Sequence, residues 1–453
     1  MQAYALAYSG CAAIFSPYEG LHKPPFSERT RLCRRPRVRD IASLDSPRKH
    51  IVNGARQAFL TRGYDGASMR VMTDYTGYSQ AGISHYFQSK SDLLIAVVEE
   101  SSTIVLDSLA VDESVDDITA LFKVWRTLTR HRDHVAVRTV VISEASKKGH
   151  PATDIAAETM NALKRSLTKR FPTVKQPQIF ADIFEGLMKA WLYQPHLDGG
   201  TLLRDAHLAL STANETVAAS IFTPETSEDF SYELERLTRE IFIDTAVDAD
   251  EKTTDIINAA TEIFGQQGYI GGSLRDIASK VGISHPALLR RYHTKDDLLK
   301  AVLRRQPEFS LSTMGARTPR EAAIKLVKYS GAAENIPGYI PLHTTLEARS
   351  FQPGTSHHAF AKHRFESRNA LHNHIFSAIG DGGLIRSDLS AKHQSRIFQA
   401  LRDGVYIRWT FDQIPGSTQL SLAHYLNLIL VPPLTEIELA SLGIDSNDLH
   451  NAS

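Results

Sequence analysis

The sequence contains very little cysteine. Among its 453 residues only Cys11 and Cys33 are cysteines, and both lie close to the N-terminus. A disulfide scaffold and a cysteine-based zinc site are therefore excluded for the rest of the chain, and the reducing cytoplasm is the expected compartment.

Long hydrophobic runs and an excess of one charge are also missing. No run approaches the ~18 apolar residues of a membrane span, so no membrane partner is expected. The opening stretch MQAYALAYSGCAAIF carries no basic residue, so no secretory signal is predicted. Lys and Arg total 51, as do Asp and Glu, which excludes a uniformly basic nucleic-acid coat but permits a local basic face.

Patterns typical of catalysis and metal binding are absent as well. The sequence contains no Ser/His/Asp arrangement, phosphate-cradling glycine loop or paired-carboxylate motif, so neither an enzyme nor a cofactor is expected. Histidines cluster at 357, 358, 363, 372 and 374, but the pairs 357/358 and 372/374 lack the spacing of a helix-borne metal site. No metal site is predicted.

The first 45 residues differ from the rest of the chain. They contain several prolines and a basic cluster at Arg34, Arg35, Arg37 and Arg39, without helical periodicity. We interpret residues 1–45 as a disordered extension. The alternative is a basic arm that contacts phosphate.

The remainder of the chain contains an internal duplication. Residues 51–98 align without a gap on the stretch that begins at residue 256, at a shift of 205, and about a third of the positions are identical. A looser match places 185–195 over 403–413 at a shift of 218, which implies an insertion of about 13 residues in the second copy. The boundary between the copies is predicted in 222–231, where Pro, Thr, Ser and acidic residues interrupt the helical pattern.

Each copy begins with a pattern that predicts four helices. A first helix ends at Gly63 or Gly268, where a left-handed backbone is favoured. Cap residues and periodicity predict three further helices in each copy. The second helix spans 69–75 or 274–280, the third spans 80–87 or 285–292, and the fourth begins near Asp92 or Asp297. The second and third form a helix-turn-helix, whose second helix fits the DNA major groove. A generic helical hairpin would show the same hydrophobic pattern. The core is assigned to Phe59, Ile83, Phe87, Phe264, Leu288 and Tyr292.

Both modules carry a small excess of positive charge. Residues 48–98 contain six basic and three acidic side chains, and residues 252–305 contain nine basic and five acidic side chains. This distribution fits two phosphate-contacting heads on acidic bodies.

Two stretches resemble the TetR family of transcriptional regulators: GYSQAGISHYFQSK at 77–90 and GISHPALLRRYHTK at 282–295. The resemblance continues through S-x-R at 68–70 and 273–275, through the D-L-L of the fourth helix, and through 383–390 and 403–413. It implies an all-α fold with two tandem TetR-like units, each a three-helix helix-turn-helix domain followed by a helical regulatory bundle. The expected domains are 46–105 and 249–308 for DNA binding, 106–225 and 309–445 for regulation, and 226–248 as a linker.

The resemblance also implies which residues contact DNA. Arg70 and Arg275 would reach a base edge or phosphate, and Lys90 and Lys295 would pair with phosphate. The complete predicted set is Ser68, Arg70, Gln80, Ala81, Gly82, Ser84, Tyr86 and Lys90 in the first head, and Ser273, Arg275, His285, Pro286, Ala287, Arg290, Arg291 and Lys295 in the second. The family usually has a phosphate-binding Tyr in the middle of the recognition helix, where this chain has Ser84 and Leu289.

The regulatory halves are predicted as successive amphipathic helices, such as 118–131, 153–171, 360–379 and 395–411. The resemblance implies a small-molecule pocket and a dimer interface there. Candidate wall residues are Trp125, Phe184, Trp191, Phe398, Tyr406 and Trp409, for which core packing is the alternative interpretation.

We therefore expect a ligand-responsive repressor that acts as a single-chain pseudo-dimer on double-stranded DNA. Because the recognition helices QAGISHYF and HPALLRRY differ, the operator should have two unlike half-sites about one helical turn apart. One alternative uses a single head for DNA and the other for packing. Another is a small-molecule-binding or interaction protein that has lost DNA binding, and further self-association stays open.

Overall fold

A computed structural model describes residues 46–147, 149–212, 228–242, 250–304, 315–352 and 357–451. Within these ranges the regular secondary structure is helical, apart from one isolated β-bridge that joins Ile385 to Leu430. The predicted extension 1–45 and most of the predicted boundary between the copies lie outside the described residues. Over the described part of the chain, no helix is both long and apolar enough to cross a membrane.

The first copy consists of nine helices among the described residues. They are α1 Pro47–Gly66, α2 Met69–Thr76, α3 Gln80–Tyr86, α4 Lys90–Ser108, α5 Asp117–Thr129, α6 Arg132–Ala145, α7 Thr153–Arg170, α8 Pro177–Tyr193 and α9 Gly199–Ser211.

The second copy repeats this order. Its helices are α11 Glu251–Gly271, α12 Leu274–Val281, α13 His285–Arg291, α14 Lys295–Arg304, α15 Pro319–Ala332, α16 Tyr339–Ser350, α17 His358–Asp381, α18 Ala391–Asp412 and α19 Ser417–Ile429. Two short helices follow, α20 Glu436–Ser441 and α21 Ser446–Asn451.

The segment 226–248, predicted as a linker, contains a further helix, α10 Glu228–Phe242. Phe230, Leu234 and Leu237 of α10 are buried, and Phe230 stacks on His374 of α17 at 4.8 Å between ring centroids. The spacing of these apolar residues at three and four gives α10 a buried stripe. The segment predicted as a linker thus contains a helix, which the charged residues on its outer face hide in the composition.

The helices of both heads agree closely with the predicted ones. Gly63 and Gly268 adopt left-handed backbone angles, with φ of 65° and 73°, and one short turn follows each before α2 and α12. The insertion in the second copy lies in the longer α17, with 24 residues against 18 in α7, and in the connection to α18. Tyr292, predicted as core, is only partly buried and packs against the edge of the second head's core.

The two copies are joined through α8 and α18, which cross in close contact. A Cβ atom on Gly186 would lie 1.8 Å from the Ala400 carbonyl oxygen, and one on Gly404 would lie 1.8 Å from the Asp182 carbonyl oxygen. Only glycine permits two backbones to approach this closely.

This crossing is symmetric. The shift of 218 makes Gly404 the equivalent of Gly186 and Ala400 the equivalent of Asp182. Gly186 contacts Ala400, and the equivalent residue Gly404 contacts Asp182, which is the equivalent of Ala400. Such a reciprocal pair of contacts defines an isologous, two-fold interface. The two regulatory halves pack on each other as two protomers of a homodimer would.

Asp182 gives this interface a pH dependence. Burial raises the pKa of Asp182 to about 6, although the Arg408 guanidinium lies 3.1 Å away and opposes the rise. The folded state therefore binds the proton more tightly than the unfolded chain, and stability falls as the pH rises from about 4 to 6. We expect the unfolding free energy to be about 2 kcal/mol lower from this group at neutral pH than at pH 4.

Denaturant unfolding of the protein and of Asp182→Asn between pH 4 and 7 measures this effect. The difference between the two unfolding free energies should change with pH across this range. For the control Asp154→Asn, which changes an exposed aspartate, the difference in unfolding free energy from the parent protein should stay constant across this pH range. A parallel curve for Asp182→Asn would contradict the expectation.

Candidate nucleic-acid interface

Each helix-turn-helix is built by serine caps and a left-handed glycine. In the first head, Ser68 Oγ accepts from the Val71 amide at 3.3 Å, and Ser79 Oγ accepts from the Gly82 amide at 3.1 Å. Between them Gly77 ends α2 with φ of 72°. These caps satisfy helix-start amides that would otherwise lack partners.

The second head repeats this construction. Ser273 Oγ accepts from the Arg275 amide at 3.1 Å, Ser284 Oγ from the Ala287 amide at 3.3 Å, and Gly282 ends α12 with φ of 70°. Ser68 and Ser273, predicted as DNA contacts, thus act as caps in this structure.

Both recognition helices lie at the surface. Ile83 of α3 and Leu288 of α13 are the residues of these helices that are fully buried, and each anchors its helix to the head's core. The other predicted contact residues are exposed or half-buried: Gln80, Ala81, Gly82, Ser84 and Tyr86 in α3, and His285, Pro286, Ala287, Arg290 and Arg291 in α13. The outer side of each recognition helix is therefore exposed to solvent in the described structure.

Three predicted arginines are exposed and unpaired. Arg70, Arg275 and Arg290 form no side-chain ion pair or hydrogen bond with any residue that the structure describes. A guanidinium group in this state offers its five donors to phosphate or to guanine O6 and N7. The two arginines at 70 and 275 are equivalent under the shift of 205.

The two predicted phosphate lysines bind within their own heads. Lys90 Nζ donates to the Tyr64 carbonyl at 2.9 Å and lies 3.9 Å from the centre of the Tyr64 ring. Lys295 Nζ donates to the Ile270 carbonyl at 3.1 Å and lies 4.8 Å from the centre of the Tyr269 ring. Burial lowers the pKa of both lysines. Lys90 therefore connects the start of α4 to the kinked end of α1, and Lys295 connects the start of α14 to the kinked end of α11.

Arg291 is also engaged inside its head. Its Nη1 donates to Asp250 Oδ2 at 2.9 Å and to Thr253 Oγ1 at 2.8 Å. Hydrogen bonds from Thr253 and Arg291 lower the pKa of the exposed Asp250 carboxyl to about 2. This pair fixes the end of α13 against the start of α11, while the neighbouring Arg290 stays available.

A carboxylate that the sequence analysis missed positions the first head. The buried Glu144 of α6 accepts from the Tyr64 amide at 3.0 Å and lies 3.4 Å from Nε of Arg349 on α16. Arg349 also donates to the Arg62 carbonyl at 3.0 Å. Glu144 and Arg349 each lie one residue before the end of corresponding helices, α6 and α16, in the two copies.

The second head meets the first copy at the corresponding kink. A Cβ atom on Gly268 would lie 2.7 Å from Lys147 Nζ, and Lys147 pairs with Asp65 at 3.6 Å. Helix α16 therefore contacts both heads, whereas α6 contacts the first head and Lys147, which follows α6, reaches the kink of the second.

The aromatic residues predicted as pocket walls are mostly core. Trp125 and Trp191 meet edge to face at 6.0 Å, Tyr406 donates its hydroxyl to the Ser330 carbonyl at 2.9 Å, and Trp409 is partly buried beside Tyr406. Phe184 and Phe398 are fully buried. All six residues have packing partners among the described residues, and Trp125 also borders an open groove on α5.

Comparisons with known proteins agree with this geometry. The family model of bacterial regulatory proteins, tetR family, matches residues 51–97 and 256–302, which are the two heads. The chain is 32% identical over 79 residues to the HTH-type transcriptional repressor AcnR of Corynebacterium efficiens and 37% identical over 65 residues to that of Corynebacterium glutamicum. It is 39% identical over 54 residues to the HTH-type transcriptional repressor Rv3405c of Mycobacterium tuberculosis.

These matches cover only part of each protein. They span 17%, 14% and 12% of this chain and 42%, 35% and 29% of the three relatives, respectively. The likeness to the relatives is therefore a likeness of short segments, well under two thirds of their length.

Proposed function

We propose that this chain, whose two heads both match the tetR family model, is a sequence-specific, DNA-binding transcriptional repressor acting as a single-chain pseudo-dimer. The observation that carries the proposal is the pair of solvent-facing recognition helices, α3 and α13, on two copies joined by a two-fold interface. A homodimer presents two identical heads to a palindrome, whereas this chain presents two different ones.

The electrostatics of the heads support DNA as the partner. Arg70, Arg275 and Arg290 extend unpaired beside the recognition helices, where counterion release from phosphates would favour binding. The relatives named as repressors and the lack of any catalytic arrangement in the sequence favour a regulator rather than an enzyme. The cytoplasm, where the target DNA is accessible, is the proposed compartment.

Binding-site selection with the full chain tests the proposal. We expect an enriched duplex with two unlike half-sites, their centres about 10 base pairs apart or a multiple of that spacing. A single half-site would favour the one-head alternative. No enrichment at low salt, with a folded protein, would overturn DNA binding.

A further inference from the structure

The interface between the two copies contains a buried ion pair whose counterpart across the two-fold axis is a pair of alanines. Arg408 Nε on α18 lies 3.2 Å and 3.1 Å from the two carboxylate oxygens of Asp182 on α8. Under the shift of 218, Ala190 is equivalent to Arg408 and Ala400 to Asp182. These two alanines line a cavity of about 10 Å³, which has room for about one water molecule. The first copy therefore supplies the carboxylate of the pair, and the second copy supplies the guanidinium.

Lys189 of α8 forms a second ion pair between the copies. Its Nζ lies 2.6 Å from Glu347 Oε2 on α16 and 3.3 Å from Asp403 Oδ2 on α18, and all three side chains are less than a tenth exposed. The residue equivalent to Lys189 in α18 is Ile407. The first copy therefore supplies the cation here, and the second copy supplies the anions.

At the corresponding described positions, the first copy offers such a lysine no unpaired carboxylate. Asp403 is equivalent to Glu185, whose two oxygens Arg138 of α6 already binds at 2.7 Å and 2.5 Å. Glu347 lies three residues before the end of α16, and the residue three before the end of α6 is Ile142. A lysine that faced a first copy would therefore meet an isoleucine and a carboxylate that is already paired.

These contacts make pairing between like copies from two chains unfavourable. Two first copies would bury two Asp182 carboxylates opposite alanines and two Lys189 ammonium groups without an available acid. Two second copies would place two Arg408 guanidinium groups opposite alanines, each left with Asp412 of its own helix as its acid. Removing one partner of a buried ion pair is strongly destabilising, because the other charge stays buried without compensation. Both ion pairs form when a first copy meets a second copy.

We propose that the two copies recognise each other specifically, so that a first copy pairs with a second copy in preference to another first copy. Matched charges favour the unlike pair, and unmatched buried charges disfavour both like pairs. Each chain therefore closes on itself and presents one α3 and one α13. The presentation of two unlike heads to an operator rests on the proposed function, whereas the pairing of the copies does not.

Four substitutions test this pairing within the full chain, without separating the copies. Ala400→Asp with Arg408→Ala gives both helices the charge pattern of the first copy and is called the acidic variant. Asp182→Ala with Ala190→Arg gives both helices the pattern of the second copy and is called the basic variant. All four substitutions together form the exchanged variant, which moves the ion pair to the other side of the interface.

Denaturant unfolding of these variants at pH 8, followed by circular dichroism, measures the effect. We expect the equilibrium constants for unfolding of the acidic and basic variants to exceed that of the parent by about a hundredfold or more. The exchanged variant carries more substitutions, yet its constant should lie within about tenfold of the parent's, because its charges are matched again. The proposal is overturned if the exchanged variant unfolds as easily as the other two, or if those two are as stable as the parent.

Partner choice is measured by refolding the acidic and basic variants together and counting the chains per complex by native mass spectrometry. In this mixture each α8 finds a matching α18 only on the other variant. Complexes with one chain of each variant should therefore exceed those of either variant with itself by about tenfold or more. Equal amounts of mixed and unmixed complexes would contradict the proposal. Neither experiment measures DNA binding, so a failure of the pairing inference leaves the DNA result unaffected, and the reverse also holds.

Discussion

Gly186→Ala is expected to lower the unfolding free energy by about 3 kcal/mol or more, because its new methyl group would overlap the Ala400 carbonyl. Backbone atoms cannot rotate away as a side chain can, so α8 and α18 must separate along their crossing. Gly404→Ala should have a similar effect through Asp182, since the two positions are equivalent. Chemical denaturation followed by circular dichroism measures both.

The loss should extend from stability to DNA binding. Separation of α8 from α18 changes the relative placement of the copies, so affinity for a two-half-site duplex should fall while affinity for an isolated half-site stays closer to that of the parent. Gly271→Ala is the matched control, because its Cβ would meet its nearest atom at 3.6 Å. If Gly186→Ala were as stable as Gly271→Ala, the close helix crossing would be wrong.

Arg70→Ala and Arg275→Ala are each expected to weaken specific DNA binding by about 1–3 kcal/mol, which is roughly 5-fold to 150-fold. Both guanidinium groups are exposed and lack partners in the described structure, so their removal leaves the folded head intact. If an arginine contacts phosphate, its loss should also reduce the salt dependence by about one unit. Fluorescence anisotropy on the selected duplex at several salt concentrations measures both quantities.

The control for this pair is Arg165→Ala on α7, which removes an arginine that is 63% exposed and paired with Glu158. It should leave DNA affinity unchanged. Equal losses from Arg70→Ala and Arg275→Ala indicate that both heads bind DNA, and a loss from one alone indicates a single working head. If neither substitution changed affinity, these arginines would not contact the duplex.

Lys90 and Lys295 are less suitable positions for such a test. Their ammonium groups donate to backbone carbonyls of their own heads, so charge reversal would disturb the head itself as well as any phosphate contact. A weakened complex would then report instability and lost contacts together.

The parts of the fold set by local chemistry were predictable from sequence. The duplication, the serine caps at 68, 79, 273 and 284, and the glycine-ended turns follow from short-range patterns, and the structure confirms the second and third helices of both heads within one residue. Such features depend on neighbours a few residues apart, whose preferences are visible in the text of the sequence.

The features set by distant contacts were not predictable. Arg291 meets Asp250 across 41 residues, and Glu144 meets the Tyr64 amide across 80. The aromatic residues predicted as pocket walls have packing partners in the described structure, and nothing in their spacing distinguishes packing from ligand contact. Helix α10 was not predicted, because the charged residues of its outer face dominate the composition of that segment.

The unequal sides of the α8 and α18 contact show what joining two copies in one chain makes possible. In an assembly of identical subunits every substitution occurs twice, so an arginine at position 408 would have its counterpart at position 190 as well, and both sides would close. Once the copies are encoded separately, one side can keep a fixed ion pair while the other changes. Gene fusion thereby turns a symmetric contact into two independently evolving surfaces, one structural and one free to acquire a different role.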